Sequence, residues 1–117
     1  MVQDIYPESW QQTRGYYTPA KKIDTGNAYL IYVSGQQVEK NDQNEAITND
    51  VTEQTESVFR SIQAILNSAG ATIDDVVKAQ IFLTNMADFG KVSAVRDKWF
   101  ANCRPVSTLV EVSAMTR

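Results

Sequence analysis

The chemistry open to this chain is narrowed first by the reactive groups it lacks. None of its 117 residues is histidine, which removes the usual general base near neutral pH, the Ser-His-Asp and Cys-His arrangements, and the commonest metal ligand. One cysteine, Cys103, allows neither an internal disulfide nor a cysteine-based zinc site within one chain. It falls at the end of a predicted helix with no thiolate-stabilising group beside it, so it reads as structural. A free thiol of this kind suits a reducing compartment. Arg14, Lys21 and Lys22 form one loose basic cluster, which reads as a solvated face. The net charge of −3 and a pI near 4.8 give no field that would draw a phosphate backbone. No nucleic-acid partner is expected.

A chain of 117 residues and 13.1 kDa makes one domain spanning 1–117. With 43% hydrophobic and 21% charged residues it has the composition of an ordinary globular protein, able to hold a core without disulfides or metals. The opening MVQDIYPESWQQ has neither a basic start nor an apolar run, and no stretch is long enough to span a bilayer. A cytoplasmic protein with no membrane partner is the expectation. Residues 1–14 are polar with scattered aromatics and read as an N-terminal arm.

The elements begin at Gly15. GYYTPAKKI, then DTGN, then AYLIYVSG predict two strands joined by a tight turn at 24–27. The second of these, 28–33, is apolar on both faces and is expected to be central. Residues 36–49, rich in Asn, Asp and Gln, read as a long surface loop. Asp50 stands three residues before Glu53 in a capping-box spacing. Thr55, Val58, Phe59, Ile62, Ile65, Leu66 and Ala69 then recur at helical steps until Gly70. A strand is expected over 74–84, with Val77, Ala79, Ile81 and Leu83 facing one way and Lys78, Gln80 and Phe82 the other. A second helix follows from about Ala87, its buried stripe being Phe89, Val92, Val95, Trp99 and Phe100. Arg104-Pro105 breaks it, and 106–112 is a further β-branched strand with the pattern of a central one.

Strand, strand, helix, strand, helix, strand makes an α/β (α+β) chain. It implies a single two-layer domain with a mixed β-sheet and two helices packed on one face. The other face has nothing in this chain to cover it. Tyr32 and Phe82 would be exposed there, which argues for a partner subunit.

At this point the sequence resembles the YjgF/RidA family of reactive-intermediate deaminases, often labelled L-PSP endoribonucleases. The matching stretches are Gly15-Tyr16-Tyr17-Thr18-Pro19-Ala20 and Tyr32-Val33-Ser34-Gly35-Gln36. Gln54-Thr55 and Leu66-Asn67-Ser68-Ala69-Gly70 follow, then Asp74-Asp75-Val76-Val77-Lys78, Phe82-Leu83-Thr84 and Asp88-Phe89. Pro105 with Val110-Glu111-Val112 closes the match. The resemblance implies a chorismate-mutase-like homotrimer with small-molecule clefts between subunits. It also implies hydrolysis of enamines and imines without a metal or organic cofactor. An arginine that grips the substrate carboxylate, a carboxylate on a final strand, a Ser-Gly pair and a tyrosine serve that reaction in the family.

Carried over by position, Tyr17 matches the tyrosine and Ser34-Gly35 match the pair. Where the family reads Pro-x-Arg-Ser/Thr-x-Val-Glu-Val, this chain has Ser107 at the arginine position, followed by Thr108. Arg104 cannot stand in by a one-residue slip, which would turn every strand side chain over. Ala87 stands where the family often has asparagine, and the family's last strand lies beyond Arg117, so a continuation of the polypeptide is expected. The expected substrate-binding set is therefore Tyr17, Ser34, Gly35, Ser107 and Thr108, with no catalytic residue assigned. Replacing a charge-assisted contact by a neutral hydroxyl gives up about 1.5–3 kcal/mol. The expected function is hydrolytic deamination of an enamine or imine unlike the small imino acids. The alternative is a non-catalytic small-molecule-binding or regulatory trimer. RNA cleavage, the older label, is opposed by the acidic pI and absent histidine.

Overall fold

A computed structural model describes residues 1–8, 10 and 15–116 of the chain. Strands β1 (Val2–Ile5), β2 (Ala20–Asp24) and β3 (Tyr29–Val33) pair in chain order, all antiparallel. Residues 2–5 are thus a strand and not part of a free arm. Ile5 sits opposite Ala20 and is buried against Ile65 and Ala69, which anchors it. Of the rest of the expected arm, residues 9 and 11–14 lie outside the described residues. Strand β2 starts at Ala20 and not at Gly15, because Pro19 has no N–H for a ladder. The turn falls where expected: the Asp24 carboxylate accepts from the Gly26 N–H at 2.8 Å, and Gly26 takes φ +101°, a conformation that strains other residues.

Helix α1 (Val51–Ser68) begins at the predicted cap, where Asp50 Oδ1 accepts from the Glu53 N–H at 3.1 Å. The reciprocal half of a capping box is absent. The Asp50 amide already donates to Ile47, and Glu53 turns to Arg60 at 2.9 Å. At the other end Gly70 takes φ +82°, and the Ala71 N–H reaches back to the Leu66 carbonyl at 2.8 Å. Lys22 adds a cation there, donating to the Ala69 carbonyl at 2.7 Å while lying over the Tyr29 ring.

A 3-10 turn at Ile73–Asp75 shortens the next strand, β4, to Lys78–Leu83. The turn puts Val76 on the core and leaves Val77 exposed, so Val77 drops out of the expected inward row. A second such turn, Met86–Asp88, precedes α2 (Phe89–Trp99). Phe89, as the first residue of that helix, stays exposed. Val92, Val95 and Phe100 are buried, as their spacing predicts. Strand β5 (Val106–Glu111) returns parallel to β4, the pairing that a helical crossover permits.

The helices lock together through Phe59, which stacks on Trp99 with centroids 5.5 Å apart and meets Phe100 edge-on at 5.0 Å. Ile31 and Val33 from β3 and Ala79 from β4 pack on this same cluster. The fold is therefore two layers, helices over a mixed sheet. Among the described residues the strands hydrogen-bond in two blocks, β1-β2-β3 and β4-β5. Strands β3 and β5, expected to be central, each pair along one edge only. Their continuous apolar runs have another physical origin: half of each run faces away from the helices. Register places Val2, Ile23, Leu30, Tyr32, Phe82, Val106 and Val110 on that far face. Tyr32 is 62% exposed, Phe82 50% and Val106 70%.

Candidate functional site

Tyr17, Ser34 and Gly35 meet at one corner of the three-stranded block. Ser34 directly follows β3 and prolongs its pairing with β2: its N–H donates to the Pro19 carbonyl at 2.8 Å. Its hydroxyl donates to the Thr18 carbonyl at 2.6 Å, next to Tyr17. The Tyr17 ring lies over Gly15, where a Cβ would sit 2.8 Å from it. Gly35 is different. Its φ is not in the left-handed region, and a Cβ there would meet nothing within 4 Å. Its backbone N–H has no hydrogen-bond partner among the described residues. Neither backbone conformation nor packing inside the chain asks for glycine here.

Ser107 and Thr108 lie in the other block, on β5. Parallel register pairs Ser107 with Ala79 and Thr108 with Gln80. Neighbours on a strand point to opposite faces. Ser107 is therefore on the helix side, at an open edge, and Thr108 is on the far face with Phe82. The chain brings Tyr17, Ser34 and Gly35 together, and holds Ser107 and Thr108 apart from them and from each other.

Two carboxylates have roles that local sequence does not announce. Glu111, at the end of β5, accepts from the Met86 N–H at 2.7 Å and so caps the turn that leads into α2. Glu56 on α1 accepts from Lys98 and, at 2.9 Å, from the Trp99 indole N–H. Those two hydrogen bonds, Lys98's first, hold its carboxyl below its ordinary pKa against the opposing effect of burial. Glu56, Lys91 and Lys98 border a hollow of about 350 Å³ between the helices. A second hollow of about 380 Å³ lies beside Trp99 and Asp74. None of the five expected site residues lines either one. Of the basic cluster, Lys21 pairs with Asp4 at 2.6 Å and Lys22 caps α1, while Arg14 lies outside the described residues. Cys103 is half-buried against Phe100. Among the described residues no group of three or more His, Cys, Asp or Glu could hold a metal, and no helix is long and apolar enough to cross a membrane.

A family model described as endoribonuclease L-PSP matches residues 10–117. The chain belongs to that family. Among its L-PSP relatives, a RutC family protein of Pyrococcus abyssi is 35% identical over 113 residues, covering 97% of this chain and 86% of its own. The 3-aminoacrylate deaminase RutC of Acinetobacter baylyi is 33% identical over 110 residues, covering 92% and 82%. The crystal structure of YyfA, a protein of unknown function of the Rid family from Yersinia pestis, superposes with a TM-score of 0.84 at 31% identity, covering 98% of this chain and 89% of that one. The L-PSP family thus includes enamine and imine deaminases, and it carries the two-layer fold described above.

Proposed function

We propose that this chain is a cofactor-independent hydrolase that deaminates an enamine or imine in clefts between the subunits of a cytoplasmic homotrimer. Its substrate differs from the small imino acids, because Ser107 offers a neutral hydroxyl where a guanidinium would grip a carboxylate. The observation that carries this reading is Gly35, whose N–H has no hydrogen-bond partner among the described residues and whose Cα faces open space, one residue beyond the Ser34 that bonds to Thr18. Such an amide suits a ligand oxygen. In the reaction, water oxygen bonds to the C=N carbon while the nitrogen takes up a proton. The C–N bond then breaks, ammonia leaves and a carbonyl forms; an enamine is first protonated on carbon to give the imine. The Gly35 N–H and, from a neighbouring subunit, the Ser107 hydroxyl orient the substrate, with Tyr17 closing one side; Thr108, on the far face, belongs to the subunit contact. The apolar far face supplies the subunit contact.

A second reading, a non-catalytic small-molecule-binding or regulatory trimer, is favoured by one specific observation. None of the five residues is a carboxylate, and Glu111, the acid on β5, is already engaged by the Met86 N–H. Ammonia release from purified protein, given freshly generated imines of graded size, separates the two. Turnover that favours the larger imines supports the enzyme. Saturable binding with no ammonia supports the binding module, and neither result would leave the corner without a ligand role.

A further inference from the structure

We propose that Ser34 is a positioning residue that seats Tyr17 beside the Gly35 amide, and that it gives no hydrogen bond to the ligand itself; this rests on the ligand-site reading above. A serine hydroxyl carries one proton. Here the hydroxyl donates to the Thr18 carbonyl at 2.6 Å, a short bond. The Ser34 amide is engaged by Pro19 at 2.8 Å. The Ser34 carbonyl, which Pro19 cannot serve for want of an N–H, accepts from Gln36 Nε2 at 3.2 Å. Every donor on Ser34 is therefore committed inside the chain. A ligand oxygen arriving at this corner finds its proton on Gly35.

What the Ser34 hydroxyl holds is the Thr18–Pro19 peptide, one residue beyond Tyr17. The Thr18 hydroxyl is turned to the Ala20 carbonyl at 3.3 Å, and a hydroxyl has no second proton with which to take over the task. On the N-terminal side, Gly15 makes room for the ring. Tyr17 is thus seated between a glycine that leaves space and a carbonyl tethered to the end of β3. The tether spans 16 residues of sequence, so it fixes the Tyr17 segment to the residues that follow β3, Gly35 among them.

A double-mutant cycle on the whole protein, with amide hydrogen exchange beside it, tests this. Ser34→Ala should speed exchange at residue 34's own amide, which bonds to the Pro19 carbonyl, by about fivefold, the equivalent of one modest hydrogen bond. Amides of α1 should not change. Catalytic efficiency on the preferred imine should fall roughly tenfold, mostly in kcat, as a misplaced group allows. Ser34→Thr should restore it, and Ser34→Ala should have no further effect in a Tyr17→Ala background. Unchanged exchange in Ser34→Ala would overturn the tether whatever the activity shows. An equal loss in both backgrounds would show that Ser34 touches the ligand directly, and would overturn the proposal. If the wild type releases no ammonia, the same cycle is read in the dissociation constant for phenylpyruvate, a 2-oxo acid larger than the products of the small imino acids. Failure to bind that probe as well would sink the ligand-site reading, and the positioning role with it, while the exchange result reports the tether separately.

Discussion

The two faces of the sheet have been built for different company. On the helix side, Ile31, Val33 and Ala79 close against Phe59, Leu66, Val95 and Phe100, and the side chains there are largely dry. On the far side, Leu30, Tyr32, Phe82, Val106 and Val110 are just as apolar and remain exposed. The same strands supply both sets, one residue out of phase. Burial in this fold is therefore only half achieved within one chain. The covered face gives the protomer its stability; the uncovered one is the apolar surface that we propose other copies cover.

The largest effect should come from emptying the covered face. Phe59→Ala removes a ring that contacts both Trp99 and Phe100, and should lower unfolding free energy by about 3–5 kcal/mol in urea titrations. A loss under about 1 kcal/mol would mean that the helix layer is not the main source of stability.

Neighbouring positions on β5 sharpen the contrast. Ser107→Arg places a guanidinium on the covered side's open rim, and should tighten binding of small carboxylates by about ten- to a hundredfold, measured by calorimetry. Thr108→Arg puts the same charge on the far face among Phe82 and its neighbours, and should weaken assembly instead. Identical behaviour of the two variants would break the distinction between the faces.

Glu56 tests the outer seam of the covered side. Glu56→Gln loses the ion pair with Lys98 and weakens the bond from Trp99, for about 1–2 kcal/mol in thermal or urea unfolding. The exposed Lys98 pair is screened by solvent and a glutamine carbonyl still accepts from the indole, so the loss should fall at the low end of that range. The carboxyl's pKa is lowered in the folded state, so its contribution is fully present above the unfolded value and fades as pH falls through the folded one. Stability of the wild type should therefore drop on acidification below about 4.5, and Glu56→Gln should flatten part of that drop. A smaller effect belongs to the far face: Phe82→Gln should change the protomer's own unfolding by no more than about 0.5 kcal/mol, while acting on assembly.

Much of the covered layer was legible in the sequence. Asp50, the 3.6-residue spacing from Phe59 to Ala69, and Gly70 each act locally, and the structure uses all of them. Strand β1 was not legible, because VQDI is short and half polar and becomes a strand only when Ile5 finds Ile65. The central placement expected for β3 and β5 went astray because a run that is apolar on both faces reads the same whether its second face meets a layer of this chain or remains uncovered. Tyr17, Ser34 and Gly35 could be picked out by resemblance, yet the commitment of the Ser34 proton to Thr18 joins residues 16 apart. The Glu111 cap on Met86 spans 25. Neither leaves a pattern along the chain.

Sedimentation equilibrium at micromolar concentration tests the central claim most directly, since both the sheet's bare face and the inter-subunit clefts depend on assembly. The account predicts a single species of about three times the 13.1 kDa protomer mass, reduced toward one protomer by Phe82→Gln or Thr108→Arg. A stable wild-type monomer would contradict it, because the far face would then be exposed for no structural reason and the clefts would not exist.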